Sequence, residues 1–223
     1  MIPVSPITTD RPLRADAERN RLRILEAATE LFASRGLEIT LDDVADHAGV
    51  GVGTVYRRFA SKSELIDGVF EHHMDNLAEC ADAALRNEDP WAGLLHFFEY
   101  ACEQMAVNRG LGEVFLSMDE GRERVGCARE RMTPAVQQLV QRARTAGVLR
   151  PDVEESDFFA LSCMIEAIGD FTRPVAPEIW RRYFTLVIDG LRADGAQRTP
   201  LPQPALTPEQ VDQAKTEHHC GRR

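Results

Sequence analysis

The stretch Ile39 to Phe70, ITLDDVADHAGVGVGTVYRRFASKSELIDGVF, constrains the fold more than any other part of the chain. It holds two short amphipathic runs around a glycine, then the start of a third run. Thr40 stands where an N-cap belongs, and Asp43 follows it at capping-box spacing. Val44, Ala45 and Ala48 give the first run an apolar side. Gly49 comes next, where a helix ending in the left-handed conformation favours glycine. The second run extends from about Gly51 to Phe59, with Val55 and Phe59 facing inward. Ser61 and Glu64 repeat the capping-box spacing at the start of the third. Two short helices about a glycine turn form a helix-turn-helix, whose second helix enters the DNA major groove with its first residues nearest the base edges. An ordinary helical hairpin in an all-helical core would share this pattern. The segment Gly51–Ser63 carries Arg57, Arg58 and Lys62 and no acidic residue, which favours the DNA reading.

Charge over the whole chain pulls the other way. The formal net charge is −10, whereas a DNA-binding domain is expected to be basic. The acidity is unevenly placed. Residues 1–66 carry nine Lys/Arg against ten Asp/Glu, and the remainder seventeen against twenty-six. An acidic distal part would repel DNA and turn the basic face toward it. The case for DNA therefore rests on the motif and not on charge.

The residues also match a family. Ile24–Gly36 (ILEAATELFASRG), followed by Ile39–Leu65, resembles the N-terminal DNA-binding domain of the tetracycline-repressor (TetR) family over about fifty residues in register. The most specific parts are Ala48-Gly49-Val50, Gly53-Thr54-Val55-Tyr56, Phe59 and Ser61-Lys62. The resemblance implies that Thr40 and the N-terminus of the second motif helix approach phosphate. It places Thr54, Tyr56 and Lys62 at phosphate-contacting positions, with Gly53 permitting close approach of backbone. This chain departs from the family at Gly51, where Ser is frequent, and at Val52, where a polar residue is common. Glycine is tolerated as an N-cap, and Val52 points to an apolar base contact such as a thymine methyl. Val52, Thr54 and Arg57 are the candidates for base contact. Tyr56 has a second reading as a half-buried aromatic.

The rest of the chain reads as helix throughout, which predicts an all-α protein. An N-terminal three-helix helix-turn-helix domain (16–66) is followed by a helical ligand-binding and dimerisation domain (67–193). Residues 1–15 hold three prolines and read as a flexible arm, whose Arg11 and Arg14 could reach the minor groove. Ile24, Leu25, Ala28, Leu31 and Phe32 form one apolar stripe on a first helix over about 16–34. A fourth helix over about 63–86 links the head to the second domain and keeps Leu65, Ile66, Val69, Phe70, His73 and Leu77 in helical register. Asn87-Glu88-Asp89-Pro90 reads as a turn. The helix after it is apolar over most of its circumference and must be buried. A short helix over 111–118 and a longer one over 122–146 come next. Asn108–Phe115 is similar to one subgroup of the family's otherwise variable C-terminal domains.

Helices over about 154–171 and 177–191 each carry two apolar stripes. On the second of them, Ile179, Tyr183 and Leu186 form one stripe and Trp180, Phe184, Val187 and Leu191 the other. Two apolar sides need two partners, so these helices predict a homodimer, as the family resemblance also implies; central placement within one chain is the alternative. Residues 194–223, with four prolines and a terminal His218-His219-Cys220, read as a disordered tail.

Five irregularly spaced cysteines argue against a disulfide framework and for a cytoplasmic setting. No apolar run has the length of a membrane helix, and residues 1–20 lack the apolar core of a signal peptide. His72, His73 and Asp75 raise the idea of a metal site, but adjacent histidines point to different sides of a helix, and no metal is expected. Nucleotide-binding, hydrolase and metalloprotease motifs are absent from the sequence, so neither an enzyme nor a cofactor is expected. The expected function is a ligand-responsive regulator, a repressor in the first instance. It would bind a palindromic double-stranded DNA operator as a dimer and be released by a small-molecule effector. A DNA-binding activator or architectural protein without inducer is the alternative. Phe97, Tyr100, Met105, Phe115, Met118 and Met164 are the candidate pocket residues, each equally readable as plain core.

Overall fold

A computed structural model describes residues 10–107, 123–193, 199, 201–210 and 213–214, with side chains from residue 16 except over 107 and 123–131. Among the described residues there are eight named helices: α1 (Asp10–Arg35), α2 (Leu41–Ala48), α3 (Val52–Arg58), α4 (Lys62–Leu85), α5 (Pro90–Val107), α6 (Glu123–Thr145), α7 (Glu155–Thr172) and α8 (Trp180–Leu191). Among the same residues there is no strand beyond one isolated bridge, Leu149 with Arg192. Phe115, Met118, the expected helix over 111–118 and the terminal His218-His219-Cys220 lie outside the described residues.

The head is built as its local sequence dictates. Ile24, Leu25, Ala28, Leu31 and Phe32 are all buried and pack α1 against α2 and α4. Thr40 and Asp43 form the reciprocal capping box: the Asp43 N–H donates to Thr40 Oγ1 at 3.1 Å, and the Thr40 N–H donates to Asp43 Oδ2 at 2.8 Å. The Thr40 hydroxyl hydrogen bond holds the Asp43 carboxyl below the usual carboxylate range, with the Thr40 backbone N–H adding to it. Gly49 closes α2 at φ 63°, a conformation that disfavours side chains with a Cβ. The Arg23 guanidinium donates to the Ala48 carbonyl at 2.9 Å, covering an acceptor left open at the helix end. Ser61 Oγ accepts from the Glu64 N–H at 3.1 Å and starts α4.

Two boundaries differ from the expected ones. Helix α1 begins at Asp10, not near Asp16, so part of the expected arm is helical. Pro12 lies in its first turn, where a missing N–H breaks no intrahelical bond. Helix α8 begins at Trp180, and residues 177–179 form a turn before it.

Beyond the head, α4 runs between α5 and α6, while α7 packs on α5 and α8 closes the bundle. Phe98 joins three of these helices. Its ring lies edge-on to Phe158 at 5.0 Å and tilted against Phe184 at 5.4 Å. Asp89 caps α5 by accepting from the Trp91 N–H at 2.8 Å, ahead of the expected proline start. Arginines cover the open carbonyls at two helix ends. Arg142 of α6 donates to Leu85 O at 2.6 Å and Asn87 O at 2.8 Å, and Arg173 donates to Ala106 O at 3.0 Å.

Part of the segment expected as a disordered tail has defined contacts. Arg150 donates to Thr199 O at 3.2 Å, and Asp152 accepts from the Leu201 backbone. Thr207 and Gln210 cap each other at Pro208.

Candidate functional site

Helix α3 divides its residues between core and solvent. Val55 and Phe59 are buried, while Gly51, Val52, Gly53, Tyr56, Arg57 and Arg58 are exposed and Thr54 and Lys62 are half-buried. Two of the exposed residues are largely apolar: Val52 is 40 % and Tyr56 51 % exposed. Arg57 donates to Thr54 Oγ1 at 3.3 Å, so these two candidate base-contacting residues form one polar unit. Among the described residues, a Cβ on Gly53 would meet no atom within 4 Å. Nothing among the described residues requires glycine there, and the open space is what close approach of another backbone needs.

Thr40 stands apart from this group. Its single hydroxyl proton goes to Asp43 Oδ2 at 2.6 Å, and a hydroxyl has no second proton to offer a phosphate. Sequence reasoning did not find two supports of the face. Arg23 holds the turn after α2. Gly68 lets α4 press against the head: a Cβ there would lie 2.9 Å from Phe59 Cε1 and 3.3 Å from Leu25 Cδ2. Their signals are a basic residue on the back of α1 and a glycine inside a long helix, both ambiguous without the fold.

A second site lies in the helical domain. A cavity of about 230 Å³ opens between α4, α5, α6 and α7. Phe70, Leu77, Phe97, Phe98, Met105, Met132, Val136, Phe158 and Phe159 supply apolar wall, and His73, Thr133, Gln137, Glu155, Ser156 and Ser162 supply polar groups. Pro208 from the C-terminal segment stands at the edge. Among the candidate pocket residues, Phe97 and Met105 line this cavity. Tyr100 does not; it is half-buried, and burial pushes its hydroxyl pKa up, with Cys80, Glu103 and Glu79 adding to the effect. Met164 does not either. It is 59 % exposed and shares a shallow depression with Ile165, Ile168, Tyr183, Leu186 and Val187.

His73 entered the sequence reading as a stripe residue or half of a histidine pair. The fold puts it in the cavity wall one turn from Phe70 and Leu77, and His72 is not in that wall. Burial lowers its pKa to about 4, with the neighbouring His72 contributing. The unfolded imidazole therefore binds a proton between pH 6.5 and 4 that the folded one refuses. Its contribution lowers stability as pH falls through that window, by about 3 kcal/mol in all. Denaturant melts of the parent and His73→Gln at pH 7 and pH 4 test this: the parent should lose about that much more. Equal losses would refute it.

One face of the bundle is apolar and open. Met164, Phe171, Val175, Tyr183 and Leu186 are exposed along α7, its C-terminal turn and α8, opposite the buried Trp180, Phe184 and Ile188. The two stripes expected on α8 thus split into a buried and an exposed one. Among the described residues, no helix is long and apolar enough to cross a membrane.

Comparison with known proteins agrees with this architecture. Residues 24–69 match the family of bacterial regulatory proteins, tetR family, and residues 89–193 match the transcriptional regulator SbtR-like C-terminal domain. The solved TetR transcription regulatory protein of Mycobacterium vanbaalenii is 32% identical, with 81% of this chain and 99% of that one covered at a TM-score of 0.63. The chain belongs to the TetR family of transcriptional regulators. The TetR transcriptional regulator SCO0520 of Streptomyces coelicolor is 28% identical over 78% of this chain and 99% of its own, also at a TM-score of 0.63. The HTH-type transcriptional activator FasR of Mycolicibacterium smegmatis is 39% identical over 74 residues, 33% of this chain and 34% of that protein. The chain spans about a third of the length of the curated relatives it matches. The family binds DNA and small-molecule effectors as dimers.

Proposed function

We propose that this chain is a cytoplasmic, homodimeric repressor that reads a palindromic operator through α3 and is released by a small molecule held in the cavity. Val52, Thr54 and Arg57 contact base edges, and Tyr56 and Lys62 contact phosphate beside the backbone of Gly53. The exposed stripe on α7 and α8 joins the two copies. One observation carries the reading: α4 touches both sites. Its Gly68 abuts Phe59 of the head, while its Phe70, His73 and Leu77 line the cavity. A ligand that favours one placement of α4 changes the spacing of the two heads. Linkage then requires operator binding to weaken ligand binding by the same factor.

The test is operator selection from a random duplex library at two salt concentrations. The expected product is an inverted repeat with fixed half-site spacing, bound far above bulk DNA. Weak, sequence-independent and steeply salt-dependent binding would leave only the phosphate contribution and sink the proposal. On the selected site, Tyr56→Ala with Lys62→Ala should weaken binding about a hundredfold, with the Lys62 change reducing the salt slope by about one. Unchanged affinity with a folded dimer would remove these residues from the interface. The activator reading has one specific support, the 39% identity over 74 residues to an activator. Transcript levels with and without the protein, from a promoter carrying the selected site, separate the two by sign.

A further inference from the structure

His73 is a half-buried polar side chain set in the largely apolar wall of the cavity, and among the described residues nothing hydrogen-bonds its ring. A neutral imidazole has one N–H to donate and one nitrogen to accept, so the ring offers a molecule in the cavity both roles. Burial lowers the ring's pKa, so at pH 7 it meets a ligand as a neutral group. The other polar groups of the wall are mostly hydroxyls and an amide. Glu155 is the one charged side chain among the described residues of the wall, and it accepts from Gln137 Nε2 at 3.3 Å at the exposed edge.

These surroundings select by charge. An anion entering the cavity would lose its water with no described Lys or Arg to replace it and would meet the negative Glu155. A cation would stay at the edge with Glu155 and leave the His73 ring unpaired. Size follows from volume. A dry cavity of about 150 Å³ takes benzene, so the larger space here suits about ten non-hydrogen atoms.

We propose that the cavity holds an uncharged, largely apolar molecule of about ten non-hydrogen atoms whose hydroxyl or carbonyl group hydrogen-bonds His73. The inference rests on the ligand-released reading above and names the chemistry of that ligand. The molecule's apolar body lies against the phenylalanines and methionines, and its polar group reaches α4 five residues beyond Gly68.

The experiment is calorimetric titration of the full chain at pH 7.5 with four probes: 4-propylphenol, propylbenzene, 4-propylbenzoate and 4-propylbenzylamine. The phenol should bind at least about tenfold more tightly than the other three. His73→Leu should bring it down to the level of propylbenzene, and His73→Gln should restore part of the gain. Because a core variant can misfold, a second measurement uses the parent protein with nitrogen-labelled histidine. The phenol, and not propylbenzene, should shift the ring-nitrogen signals of His73. Equal or tighter binding of a charged probe, no binding by any probe in the millimolar range, or a preference that survives His73→Leu would overturn the proposal. Operator affinity is measured alongside. The expected ranking without operator release would leave this inference standing and sink the release mechanism. Release by the benzoate alone would do the reverse.

Discussion

Replacing Leu186 by Glu is expected to convert the proposed dimer to a monomer and to abolish tight operator binding. Leu186 is 60 % exposed on α8, between Met164 and Tyr183, and the core side of the helix is carried by Trp180, Phe184 and Ile188 instead. The change should therefore leave the fold of one chain intact. In a two-fold interface every substitution enters twice. Each copy loses about 2 kcal/mol of leucine burial, and two carboxylates enter an apolar contact. Together these raise the dimer dissociation constant by at least about a thousandfold. Sedimentation equilibrium reads the mass directly, and an unchanged thermal melt at high dilution checks the fold. Operator affinity should fall as well, because a single head reads only one half-site. A variant that stays dimeric, or a parent that is monomeric at micromolar concentration, would place the interface elsewhere.

The features the sequence revealed were those whose physics is local. The Thr40–Asp43 box, the Gly49 cap, the Ser61 start of α4 and the Asp89-Pro90 start of α5 each depend on residues three or four apart. The same holds for the two stripes of α8, where the spacing shows two apolar sides and the fold decides which is open. The hidden features depend on distant partners. Helix α5 is apolar around most of its circumference, so nothing in its pattern separates Phe97, which faces the cavity, from Tyr100, which does not. Met164 has the composition of a pocket residue and the position of a surface one. His73 and His72 look alike in sequence, and only the packing of α5, α6 and α7 on α4 makes one of them a cavity wall. The contacts of Thr199 and Leu201 with Arg150 and Asp152 bridge about fifty residues, and the surrounding prolines disguised the Thr207–Gln210 cap. The engagement of the Thr40 hydroxyl shows a further limit. A capping residue can match a family's contact position while its proton is already taken.

Phe98→Ala should strongly destabilise the helical domain. The ring is 2 % exposed and holds α5 against both Phe158 of α7 and Phe184 of α8. Truncating a buried phenylalanine costs about 3–5 kcal/mol through lost contacts and the void left behind, and edge-on aromatic pairs add about 1 kcal/mol. For a chain of this size, that is a fall in melting temperature of roughly 10 °C or more. The void adjoins the cavity of the helical domain, since Phe98 is part of its wall. The same variant should therefore bind bulkier neutral ligands than the parent does. Its effect on DNA should be small, because the Phe98 ring packs on Phe158 of α7 and Phe184 of α8, away from the head. At 10 °C, where the variant stays folded, operator affinity should lie within about threefold of the parent. Calorimetric melting and an operator titration on one preparation test both halves. A loss below about 1 kcal/mol would mean that α5, α7 and α8 are not joined through this ring. A large loss of operator affinity in a folded sample would mean that the cavity wall and the head are coupled more tightly than the packing of α4 on α1 and Phe59 implies.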